Sequence, residues 1–137
     1  MGDFLFYAVA IAIGLFIGFF LVRRNREVKF EESERLVIRE WPEFKRNMRK
    51  GQLIDIRKEK DVEKEKIKGA RRFPVRALTS KYQTKVRKDL PLYIYCNTGK
   101  KSYKAARKLL HKGYKKVYVL KGGFPATKMD FDENGRD

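Results

Sequence analysis

The 137 residues carry 34 Lys and Arg against 17 Asp and Glu, a formal net charge of +17. That length gives one domain of ordinary size, and the charge implies an anionic partner: membrane headgroups, nucleic acid or small anions. A single cysteine excludes a disulfide within the chain and points to a reducing compartment; with a single histidine beside it, no soft-ligand zinc cluster can be assembled. No metal and no cofactor is implied.

Behind Met1-Gly2-Asp3, the stretch Phe4 to Val22 runs for 19 residues without a charge. At about 1.5 Å per residue it reaches roughly 28 Å, close to the hydrocarbon thickness of a bilayer. A cleaved signal would carry its basic residues in front, whereas here Arg23, Arg24 and Arg26 come afterwards. Residues 1–22 are therefore expected to be a single transmembrane helix at the cell membrane. The positive-inside rule puts the N-terminus outside and the remainder in the cytoplasm. Gly14 and Gly18 are spaced for helix packing, but that pattern alone leaves the oligomeric state open.

Residues 23–37 are charged and mixed in sign, which suggests a juxtamembrane connector that can begin as a continuation of the helix. From residue 38 to 128 short apolar runs alternate with amphipathic ones, the pattern of an α/β domain with a mainly parallel sheet. Phe44 and Met48, between Pro42 and Gly51, predict a short helix. Leu53 to Ile56 predicts a strand, with Asp55 and Arg57 at its carboxyl end. Asp61 to Lys66 predicts a charged helix or turn anchored by Val62 and Ile67, and Gly69-Ala70 leads into an expected strand at Arg72 to Val75, with Pro74 marking an edge or end. Thr79 or Ser80 is placed to cap a helix whose apolar line is Leu78, Tyr82 and Val86, ended by Leu90-Pro91. Residues 129–137 form a polar tail.

Leu92 to Tyr95 is apolar and aromatic, fitting a strand buried on both faces. From Ser102 the spacing becomes helical: Ala105, Ala106, Leu109 and Leu110 share a face, and Lys101, Lys104, Arg107, Lys108 and Lys112 favour solvent. Gly113 closes this helix, and Val117 to Leu120 is the last strand. Cys96 thus stands at a strand-to-helix junction. Unpaired amides at the helix start, its dipole, and Lys100 and Lys101 all favour a thiolate there. The competing reading is a small, inert core thiol. His111 lies too far along the helix to pair with Cys96. Gly99-Lys100-Lys101-Ser102 lacks the second glycine of a phosphate-binding P-loop, because Ile94 occupies its place.

Leu53-Ile54-Asp55-Ile56-Arg57, Ile67-Lys68-Gly69-Ala70, Phe73-Pro74, Tyr95 through Ser102, Gly113-Tyr114 and Val117 through Phe124 together resemble a single-domain rhodanese, in that family's order and spacing. The resemblance implies a parallel sheet flanked by helices, and sulfur transfer through a cysteine persulfide. Cys96 is then the nucleophile, taking sulfur from a small donor such as thiosulfate or a persulfide and passing it to an external thiol or to cyanide. Asn97, Thr98, Gly99, Lys100, Lys101 and Ser102 form the loop that holds the persulfide, with Asp55 and Arg57 in support. The related dual-specificity phosphatases carry a loop one residue longer that ends in arginine, where Ser102 stands here. Glu65-Lys66 replaces the family's usual Gly-His, Lys101 replaces a common arginine, and Thr127 falls where tryptophan is frequent. An alternative within the same fold is a non-catalytic interaction module at the membrane. Specific nucleic-acid binding is disfavoured, since the aromatics fall in strands and core positions. An anionic membrane surface is the simpler partner for the charge.

Overall fold

The computed structural model describes residues 2–24, 31–81 and 83–128. The expected tail at 129–137 and the Tyr82 member of the expected apolar line lie outside them. Helix α1 (Gly2–Arg24) is long and apolar enough to cross a membrane, and none of its apolar side chains is buried against the rest of the chain. It is a candidate membrane span.

The remaining described residues build a five-stranded, wholly parallel sheet in the order β1-β5-β4-β2-β3. The strands are β1 (Leu36–Arg39), β2 (Gln52–Asp55), β3 (Arg71–Arg72), β4 (Leu92–Tyr95) and β5 (Val117–Leu120). Between them lie α2 (Trp41–Asn47), α3 (Glu59–Lys64), α4 (Val75–Leu78) and α5 (Lys100–His111), and 3₁₀ turns occupy Met48–Lys50 and Phe124–Lys128. Side chains alternate across the sheet. Ile54, Leu92, Ile94, Val117 and Val119 point to one face, where Ala105, Ala106 and Leu109 of α5 cover them with Tyr114. Leu53, Tyr93, Tyr95 and Leu120 point to the other, beneath Trp41, Phe44, Met48 and Phe124. Burial on both faces explains why β4 is apolar throughout.

Three expectations need correction. The stretch 23–37 was expected to be a connector, but β1 straddles its end and pairs with β5 from Leu36↔Val117 to Arg39↔Leu120. The strand expected at 72–75 is only Arg71–Arg72, because Pro74 is the cap of α4 and Val75 its first residue. The helix expected after Thr79 is instead the four-residue α4, which ends at Leu78. Leu78 and Val86 are both buried in the α5-side core; their spacing of eight reflects two separate descents into that core by an irregular segment.

As an edge strand, β1 would leave its outer backbone groups open. The chain just before it closes them. The Ser33 N–H donates to the Leu36 carbonyl, the Leu36 N–H donates to Ser33 Oγ (3.0 Å), and the Ile38 N–H donates to Glu32 Oε1 (2.8 Å). Further along, Tyr103 of α5 clasps the backbone of Glu31, accepting from its N–H at 2.8 Å and donating to its carbonyl at 3.4 Å.

Candidate active site

All four residues of β4 are buried, so Cys96 emerges from a fully packed strand at the carboxyl edge of the sheet, where α/β folds present their ligands. The next residues must reverse into α5. Gly99 makes that turn in the left-handed region (φ +81°), and a Cβ there would stand 3.2 Å from the Gly122 nitrogen and 3.3 Å from the Leu120 oxygen. The reversal aims two amides at the sulfur: Gly99 N–H at 3.0 Å and Ser102 N–H at 3.3 Å from Sγ. Ser102 Oγ lies 3.2 Å from Sγ and 3.1 Å from the Gly99 carbonyl oxygen, to which it donates. Its hydroxyl has one proton. That proton can serve the carbonyl while a thiol proton faces Oγ, or turn to the sulfur once the sulfur is charged.

Of the loop expected to hold a persulfide, Gly99 and Ser102 supply the contacts to Sγ. Asn97 is exposed and donates from Nδ2 to Asp61 Oδ2 of α3 at 3.3 Å. Thr98, Lys100 and Lys101 are exposed around the rim, and neither lysine has a carboxylate partner among the described residues. The sulfur itself is nearly closed off, with Cys96 1% exposed. A cleft of about 660 Å³ opens beside the loop. It is lined by Thr98, Gly99 and Lys100 together with Ile38, Glu40 and Lys121, but its lining does not include Cys96.

Asp55 and Arg57 have a different task. Arg57 Nε lies 3.1 Å from each Asp55 oxygen and Nη2 lies 2.8 Å from Oδ2, both side chains being buried. The same Nη2 donates to the Glu65 carbonyl at 2.6 Å. The guanidinium lies 4.1 Å above the Phe124 ring, and Tyr95 packs on Phe124 with 6.0 Å between ring centroids. Burial works against the charged guanidinium, but hydrogen bonds and charge from Asp55 outweigh it and leave the Arg57 pKa raised. Burial, followed by contact with Asp55, also raises that of Tyr95. Neither Asp55 nor Arg57 bonds the Cys96 loop; they stitch the loop after β2 to the aromatic layer beneath it.

Sequence reasoning quoted Gly123 without giving it a role. Its φ is +73°, and a Cβ on it would come within 2.5 Å of the Cys96 oxygen, 2.6 Å of the Asn97 carbonyl carbon and 2.7 Å of the Thr98 nitrogen. Backbone therefore lies directly on backbone, and the Phe124 N–H donates to the Cys96 carbonyl at 2.7 Å. The segment after β5 is the back wall of the cysteine loop. The doubled glycine was the available signal.

Comparison with known proteins gives the same picture. The rhodanese-like domain model matches residues 40–130. The uncharacterized protein YqhL of Bacillus subtilis is 40% identical over 82 residues, covering 60% of this chain and 64% of that protein. Thiosulfate sulfurtransferase GlpE of Coxiella burnetii is 34% identical over 76 residues, 56% of this chain and 70% of GlpE. Among solved structures, reduced Bacillus anthracis CoADR-RHD superposes with a TM-score of 0.62 at 33% identity, over 72% of this chain and 17% of that one.

Proposed function

The chain belongs to the rhodanese-like domain family, and on that basis we propose a sulfurtransferase, anchored through α1, that carries sulfane sulfur on Cys96. Relatives named as sulfurtransferases support the general role. The observation that carries the finer reading is the convergence of the Gly99 and Ser102 amides and the Ser102 hydroxyl on one sulfur at the start of α5.

The Cys96 thiolate attacks the outer sulfur of thiosulfate; a new S–S bond forms, the old one breaks, and sulfite leaves with the bonding pair. The product is a Cys96 persulfide anion, whose charge is favoured by amide donors and by the positive end of the helix dipole. Lys100 and Lys101 draw the dianion to the rim. An acceptor thiolate or cyanide then attacks the terminal sulfur, leaves as a persulfide or thiocyanate, and returns Cys96 to its thiolate. With one cysteine in the chain, the acceptor thiol is external. Because Sγ lies under the loop, the donor must reach down to it, and the transferred sulfur then stands about 2 Å further out. In this reading Arg23 and Arg24 hold the domain on the cytoplasmic side.

Thiocyanate formation from thiosulfate and cyanide by the full chain tests this. Turnover by the wild type and none by Cys96→Ser is the expected result; equal background in both would reject it. The burial of Cys96 favours one other reading, a non-catalytic interaction module. That module would leave its cellular phenotype intact in Cys96→Ser, whereas a sulfur carrier would lose it.

A further inference from the structure

We propose that the solvent face of α5 is a docking surface for anionic lipid headgroups, so that the helix carrying the cysteine loop lies along the leaflet into which α1 inserts. This rests on α1 spanning the membrane.

Two independent observations meet on α5. The first is charge: the exposed residues of this helix are Lys100, Lys101, Lys104, Arg107, Lys108 and His111, and Lys112 follows directly. No acidic residue occurs in the helix, and among the described residues none of its lysines, nor Arg107 or Lys112, lies within an ion pair. Elsewhere in the domain Arg39, Arg57, Arg87, Lys121 and Lys128 all have carboxylate partners. The stripe is one-signed and about three turns long, while the exposed Lys45, Arg46, Arg49 and Lys50 form a second basic cluster on the α2 side.

The second is the tether. Tyr103 is buried on α5 and clasps Glu31, and a small cavity between the two segments is lined by Glu31, Ser33, Tyr103, Arg107 and His111. On a helical wheel Tyr103 borders the basic stripe, with Arg107 one turn further along the same side. Only residues 25–30 separate the end of α1 from Glu31. Seven residue steps span at most about 25 Å even when fully extended. The flank of α5 is thus held within that distance of the membrane end of α1, and its cations fall within reach of the leaflet surface. Each basic side chain brought to an anionic surface strengthens its partition by about fivefold. On the α2 side the residue next to the tether, Glu32, is held by Arg39, which also pairs with Glu43 of α2, so that contact is made by carboxylates rather than by free cations.

The full chain would be reconstituted in nanodiscs of phosphatidylcholine alone and of phosphatidylcholine mixed with phosphatidylglycerol. Acetylation rates would be read lysine by lysine by mass spectrometry. In the anionic discs Lys104 and Lys108 should react at least about fivefold more slowly than in neutral ones, while Lys45 and Lys50 on the other face keep their rates. About 0.5 M salt should remove the difference. Lys104→Glu/Lys108→Glu should expose Lys112 in anionic discs, with thermal unfolding checking that the fold persists. Equal rates in both lipids, uniform slowing of every lysine, or protection by added RNA in neutral discs but not by phosphatidylglycerol would each overturn the proposal. Alkaline carbonate extraction separates the two readings. A chain that washes out of the discs defeats both the anchor and the docking, whereas one that stays inserted with unprotected α5 lysines defeats the docking alone.

Discussion

Ser102 has two acceptors for one proton, the Gly99 carbonyl and the Cys96 sulfur. The carbonyl keeps a second donor, the Tyr103 N–H at 3.0 Å, so removing the hydroxyl costs the fold little. Charge on sulfur has no such substitute. Ser102→Ala should slow persulfide formation about 10- to 100-fold, the worth of a hydrogen bond to a charged group, with a nearly unchanged unfolding midpoint; single-turnover mass spectrometry reads the first and urea titration the second. Asp55 and Arg57 should behave in the opposite way. Arg57→Ala strands a buried carboxylate and should cost about 3–5 kcal/mol in urea unfolding, far more than it costs the chemistry per folded molecule. At this scale the place of Cys96 between β4 and α5 was legible, because one cysteine between a strand run and a helix run leaves little choice. The division of labour within the loop was not. Which amides meet the sulfur depends on the positive φ at Gly99, and the sequence shows only that a glycine permits it.

The elements that matter most are the two loops pressed together at the carboxyl edge of the sheet. Gly123→Ala would place a methyl group where the Cys96–Thr98 backbone lies and would force a left-handed φ on a residue with a Cβ. We expect a loss of at least about 2 kcal/mol, read as a lowered urea midpoint, together with loss of sulfur transfer as the back wall withdraws. β4, α5 and β5 were legible from periodicity because their burial is regular. β1 was not: Leu36, Val37 and Ile38 form a short apolar run between charged residues, and they become a strand only because β5 offers an edge for them to pair with. The segment around α4 misled for the converse reason, since Leu78 and Val86 imitate a helical face while filling one core from an irregular path.

In the molecule as a whole, the two sheet faces hold buried tyrosines whose ionisation folding opposes. Burial raises the pKa of Tyr93 and Tyr114, and that of Tyr95 likewise, above the usual 10.0. Groups shifted upward contribute stability that is intact below pH 10 and is lost as the pH climbs towards their folded values, because the unfolded chain releases protons that the folded one retains. Each should add a slope of about 1.4 kcal/mol per pH unit in that window. Urea midpoints should therefore hold up to about pH 10 and fall above it, and Tyr93→Phe should lessen the fall; a midpoint independent of pH in that range would contradict the assignment. On the proposed reading, α1, the parallel sheet and a basic α5 would bring a sulfur site near a lipid surface, and the sulfur chemistry is the centre of that proposal. Its most direct test is to treat the full chain with thiosulfate labelled in its outer sulfur, without reductant, and map the label by peptide mass spectrometry. The account predicts one labelled sulfur atom on the peptide containing Cys96, removed by cyanide; a Cys96 peptide left unlabelled while the chain stays folded would contradict it.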